Sequence, residues 1–164
     1  MRIIKTIQPS WGPSSKPHIV DPVIATLAVP VYYVTERGPV LQAKGIVCAR
    51  AFAQTVLRVT EDWAMQYGFG LAHIGVYNPR KARLKNGSPI TPERWSNHAY
   101  AEAWDFKGIT DPHGELLDLN AMIAGCPKKL LELVSGCRAA IVAVHRRPEI
   151  VDEGRWEHIG MFPA

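Results

Sequence analysis

The most regular signal along the chain is a helical stripe between about Gly45 and Tyr67. Phe52, Val56, Val59 and Trp63 recur at i, i+4, i+7 and i+11, with Ala49 and Ala53 beside them. Arg50, Arg58 and Glu61 lie off the stripe. The pattern predicts the main core helix, stopped by Gly68 and Gly70 because glycine takes the left-handed cap that ends helices. Shorter apolar runs predict strands at 30–35 (PVYYVT), 71–77 (LAHIGVY), 99–109 (AYAEAWDFKGI), 138–145 (RAAIVAVH) and in the last run, RWEHIGMF. DPHG at 111–114 reads as a turn, RRPEIVDEG as a loop, and 116–125 and 127–134 as two short helices, the second opened by Pro127.

Two stretches break the periodicity. Pro9, Pro13, Pro17, Pro22 and Pro30 crowd residues 1–30 and predict an extended arm lying over the domain, since proline is excluded from helix interiors and central strands. Residues 78–95 form a polar loop with Asn86-Gly87, Pro89 and Pro92, and a loop of that length in a compact domain is either functional or disordered. The elements add up to an α+β fold, a central antiparallel sheet with one long and two short helices against it. A chain of 164 residues suits a single domain, with residues 1–30 as the arm and 31–164 as the core.

Composition narrows the class. With 47% hydrophobic and 21% charged residues, the chain is not disordered, collagenous or a coiled coil. A net charge of +4 suits an anionic partner, nucleic acid or an anionic wall polymer, without choosing between them. Three cysteines (Cys48, Cys126, Cys137) without C-x-x-C spacing argue against a disulfide framework or a cysteine zinc site. A Cys126–Cys137 bridge and three reduced, buried thiols are the alternatives, and the second is preferred. No apolar run approaches the roughly 18 residues that span a bilayer. The N-terminal MRIIKTIQPSWGP is broken by Lys5 and Pro9 and does not read as a signal peptide, so synthesis in the cytoplasm without an export signal is expected.

Candidate chemistry gathers around two histidines and an aspartate. His98 follows the polar loop and precedes an apolar strand carrying Asp105, which sits between Trp104 and Phe106. A carboxylate there is costly to bury unless it pairs with or binds a cation. His158 lies in the last strand between Trp156 and Ile159. Two imidazoles and a carboxylate make a three-ligand zinc set with a fourth position left for water. The alternative is an ion pair between Asp105 and a loop arginine.

Residues 96–105 read Ser96, Asn97, His98, Ala99, Tyr100, Ala101, Glu102, Ala103, Trp104, Asp105. This resembles the S-x-H-x-x-G/A-x-A-x-D signature of the zinc D,D-carboxypeptidases and L-alanyl-D-glutamate endopeptidases, within the wider hedgehog/D,D-peptidase group. SNHAYAEAWDFKG is most similar to the extensin-like branch and related phage lysins. The resemblance covers 70–110 well and 138–162 loosely. It implies a compact α+β fold, with Zn2+ held by His98, Asp105 and His158. It also implies hydrolysis of peptidoglycan stem peptides by an endolysin-like monomer, with no nucleic-acid partner and no membrane insertion, delivered by a holin or a virion.

The same resemblance places a general base at position 155, three residues before the last ligand, but Arg155 stands there. Glu153 is the preferred substitute, followed by Glu157, which a regular strand would point away from His158, and by His145. Arg80 is expected to steady the substrate carbonyl or carboxylate, with Arg83 in reserve; both also read as solvated loop charges. Ser96 reads as a substrate contact or a turn hydroxyl. Small Ala101 and Ala103 let the chain pack tightly between the ligands. Two further readings compete. One is a catalytically silent metal- or wall-binding module of the same fold. The other is a metal-dependent nuclease or nucleic-acid binder, suggested by the basic loop, Trp95 and DPHGELLDLN.

Overall fold

The computed structural model describes residues 1–125 and 127–163. It is an α+β protein with two sheets and three helical runs. A small antiparallel sheet has the order β1 (Arg2–Lys5), β2 (Pro22–Thr26), β5 (Ile46–Ala49). The larger sheet has the order β4 (Gly38–Leu41), β3 (Val31–Thr35), β6 (Gly70–His73), β7 (Ala103–Thr110), β10 (Glu157–Met161), β9 (Pro148–Asp152), with β8 (Leu116–Asp118) paired to β7. It is mixed rather than purely antiparallel, because β3 and β6 run parallel.

The expected core helix is one continuous run: α1 (Arg50–Phe52), a π-helical turn (Ala53–Leu57) and α2 (Arg58–Tyr67). Phe52, Val56 and Trp63 of the stripe are buried. Gly68 ends the run in the left-handed conformation, φ 72°. The helix begins later than the pattern suggested, because Ile46–Ala49 is a strand.

Three further differences have local causes. The run RAAIVAVH does not form a strand: α4 (Pro127–Ala143) is one long helix that carries most of it. Leu130, Leu133, Cys137 and Ile141 make its buried stripe, so the apolar run is the end of a helix face. Among the described residues the helices therefore number three as expected, but two are long; α3 (Leu119–Gly125) is the short one, and β8 precedes it. Part of RRPEIVDEG is β9, hairpin-paired to β10. Within the expected arm, β1 and β2 are strands, with Pro22 at the first position of β2, where proline is tolerated.

The two sheets and the helices share one core. Trp104 and Phe106 of β7 and Ile159 and Met161 of β10 join Phe52, Leu57, Leu71, Leu133 and Ile141, all fully buried. Cys48 and Cys137 are buried, and burial pushes both thiols up to about 12. The Cys126–Cys137 pairing involves Cys126, which lies outside the described residues. No helix among the described residues is long and apolar enough to cross a membrane.

Candidate metal centre

Strand parity decides what meets on the other side of β7 and β10. Successive side chains on a strand point to opposite faces. Trp104 and Phe106 enter the core, so Asp105 faces away from it; Ile159 enters the core, so His158 does the same. The antiparallel register sets His158 directly opposite Asp105. His158 Nδ1 lies 3.1 Å from Asp105 Oδ1. His98 reaches the same oxygen from a 3-10 turn, Asn97–Tyr100, with its Nε2 at 3.2 Å.

Local sequence explains how His98 gets there. Ser96 caps the turn, its hydroxyl accepting from the His98 amide at 3.3 Å. Ala101 closes it with φ 53°, donating to the His98 carbonyl. The constraint at Ala101 is thus on the backbone, and a small residue tolerates the left-handed conformation best. Ala103 instead provides room: a Cβ added at its register partner Gly160 would sit 2.7 Å from the Ala103 Cβ and 3.2 Å from His158 Nε2. Glu102, between them, holds Arg146 at 2.5 Å, tying the turn to the end of α4.

His98 Nδ1 is 2.8 Å from the Val76 carbonyl and donates to it, which leaves the Nε2 lone pair facing Asp105. The ligand atoms of His98, Asp105 and His158 all lie within 4.8 Å of one another. Two imidazole nitrogens and one carboxylate oxygen, mostly buried and already convergent, can hold a metal ion. Electrostatics point the same way. Burial alone would raise Asp105, but its bonds to both histidines hold it far below the usual carboxylate range. Burial alone would lower His158, but Asp105 and Glu149 outweigh it and raise it to about 9. Without an ion, a proton on His158 supplies the positive charge between the carboxylates.

Glu149 was not singled out from the sequence. It lies opposite Gly160 in the β9–β10 hairpin, with Oε1 3.5 Å from His158 Nε2. Its Oε2 accepts from Asn97 Nδ2 at 2.9 Å and lies 3.8 Å from Arg94. Burial tends to raise Glu149, but these partners hold it low. The carboxylate thus stands behind His158 Nε2, on the side away from Asp105, the place from which a second carboxylate commonly orients a metal-bound histidine. Its place follows from the hairpin register, which no local pattern in Pro148–Asp152 encodes.

The triad opens into a cavity of about 300 Å³. Arg80, Arg83, Ser96 and Glu153 line it together with the three ligands; Glu157 and His145 are not among its lining residues. Glu157 is buried at the start of β10, and burial followed by the nearby Asp152 raises its carboxyl. His145 is exposed just beyond α4. The loop 78–95 folds into a hairpin-like flap, bridged at Lys81–Trp95 and Arg83–Pro89, with Leu84 and Ile90 over the cavity. Arg83 Nη1 donates to the Gly87 carbonyl, and Lys81 lies 4.0 Å above the Trp95 ring. The DPHG turn is self-contained: Asp111 Oδ1 accepts from the amides of His113 and Glu115.

His73 is a third buried imidazole, 2% exposed. Burial lowers it to about 4, tempered by the Gly75 carbonyl and the Asp105 charge. The unfolded chain, with an ordinary histidine near 6.5, binds the proton first as pH falls. His73 should therefore cost stability between pH 6.5 and 4, by about 3 kcal/mol at the acid end. Urea unfolding of the protein and of His73→Phe should show a gap that changes in favour of the variant on acidification; a gap independent of pH would refute this.

No family model, no curated protein and no solved structure matches the chain.

Proposed function

We propose that the chain is a zinc-dependent peptidase acting on peptidoglycan stem peptides, with the hedgehog/D,D-peptidase type of fold. The observation that carries this reading is the convergence of His98, Asp105 and His158 on one point at the edge of an arginine-lined cavity. A mixed nitrogen and oxygen donor set without thiolates suits zinc, and three protein ligands are the number used by catalytic sites. The motif around His98 and Asp105 supplies the substrate class.

When bound, zinc supplies Lewis acidity at the scissile carbonyl and lowers the pKa of water. The remaining work belongs to the chain. Val76 holds His98 in the tautomer that ligates, and Glu149 backs the ring of His158 with a negative charge. Glu153, in the cavity and five residues before His158, takes the proton from the attacking water and returns it to the leaving amine. Arg80 steadies the substrate carbonyl or a terminal carboxylate, with Arg83 beside it. Ser96 acts chiefly as the cap of the His98 turn. Leu84 and Ile90 of the flap shield the bound peptide from water.

The silent-module reading keeps one supporting observation, Arg155 at the position expected for the base. The nuclease reading has less support, since Asp111 is occupied in its own turn. Purified peptidoglycan and a synthetic D-amino-acid stem peptide decide among them. New amine termini should appear with zinc, stop on adding a chelator and return with zinc. Absence of cleavage with zinc bound favours the silent module; cleavage of DNA alone favours the nuclease.

A further inference from the structure

A second depression among the described residues is larger than the metal cavity. A groove of about 550 Å³ lies on the other side of the segment that follows β6. Trp11, Tyr33, Gln42, His73, Tyr77 and Asn78 are among its lining residues, and no aspartate, glutamate, lysine or arginine lines it. Trp11 is 56% exposed and Tyr33 44% exposed. Large aromatic faces left open beside a concave surface are unfavourable unless something covers them.

Trp11 is held in place although it is open. Lys16 Nζ donates to the carbonyls of Pro9, at 2.8 Å, and Trp11. Gln8 joins the Tyr77 hydroxyl at 3.3 Å to the Ile19 amide at 2.7 Å. Gly12 packs so closely that an added Cβ would sit 2.5 Å from Pro79. The Trp11 and Tyr77 rings meet edge to face at 5.0 Å. The proline-rich segment thus builds one wall of the groove. At its floor, Gln42 donates to the Gly45 carbonyl, which turns its oxygen to His73 Nε2 at 2.6 Å. His73 Nε2 is therefore the donor, and Nδ1 keeps a lone pair with no hydrogen-bond partner.

The chemistry of these walls selects a ligand. A charged ligand would meet no counter-charge. A purely apolar one would seal the Asn78 amide and the second Gln42 amide hydrogen away from water, which costs free energy, the rest of the Gln42 amide being taken by Gly45 and His73. A pyranose has C–H faces that match aromatic rings and hydroxyl edges that match amides. We infer that this groove binds a neutral saccharide, stacked on Trp11 and Tyr33 with its hydroxyls toward Gln42 and Asn78.

The groove and the metal cavity share one wall. Val76 accepts from His98 Nδ1, and the Asn78 amide donates to the His98 carbonyl at 3.0 Å. Val76, Tyr77 and Asn78 line the groove, while Arg80 lines the metal cavity. If the substrate is a wall peptide, which rests on the function proposed above, the glycan lies in the groove while its peptide crosses this wall to the metal. The saccharide is then N-acetylated.

Titration with chitotriose and with cellotriose, followed by calorimetry, tests this. Chitotriose should bind saturably to the wild type, equally well to metal-free protein, and about tenfold more weakly to Trp11→Ala or Tyr33→Ala. Two variants on separate segments guard against a local folding defect in either. Saturable binding of cellotriose alone would support the saccharide groove and remove the wall glycan as its occupant. No saturable binding of either trisaccharide, or binding as tight as wild type by both variants, would overturn the inference. Loss of peptide cleavage with sugar binding intact would count against the peptidase and leave the groove standing.

Discussion

Asp105→Ala is expected to remove metal binding, and with it peptide hydrolysis. Asp105 Oδ1 is the one atom that both imidazoles approach, at 3.2 Å from His98 and 3.1 Å from His158. Without it the remaining pair of nitrogens has no anionic ligand, and His158 loses the neighbour that does most to raise it to about 9. Lewis-acid assistance contributes several kcal/mol to such reactions, so turnover should fall roughly a thousandfold or more. Asp105→Asn, which keeps the shape, controls for folding and should lose most of the same activity. Peptide cleavage by either variant at a rate near the wild type would mean that the ion, if present, sits elsewhere.

Glu153→Gln is expected to lower kcat by about 10²–10⁴-fold while leaving the metal in place, the usual range for loss of a general base. The glutamine fills the same volume but cannot accept the proton. Glu149→Gln should behave differently. Glu149 is engaged by His158, Asn97 and Arg94, so its loss should weaken metal affinity about 10–100-fold, the range for a carboxylate behind a ligand. Kinetics at saturating zinc separate the two: kcat should recover in Glu149→Gln and stay low in Glu153→Gln. The reverse outcome would transfer the proton-handling role to Glu149.

The parts of this molecule that could be read from its sequence are those where local pattern and chemistry coincide. The stripe through Phe52, Val56 and Trp63 is long enough to fix a helix. Asp105 between two core aromatics already signals a charge that needs a partner, and strand parity then carries it to the same face as His158. Short apolar runs carry less information. Residues 138–145 satisfy strand composition, yet the spacing Leu130, Leu133, Cys137, Ile141 shows them to be the end of a helix; periodicity over eight residues cannot separate the two. Glu149 was hidden for a different reason. Its role depends on hairpin register, which sets it opposite Gly160, and no local pattern encodes which residues face each other across strands. The proline-rich segment likewise gave its stiffness but not its destination against Tyr77 and Pro79.

Elemental analysis after zinc loading and dialysis, with wild type beside His98→Ala, tests the shared cation most directly. One zinc per wild-type chain and none in the variant is the predicted pair of values. A metal-free wild type, or a variant that keeps its zinc, would contradict it.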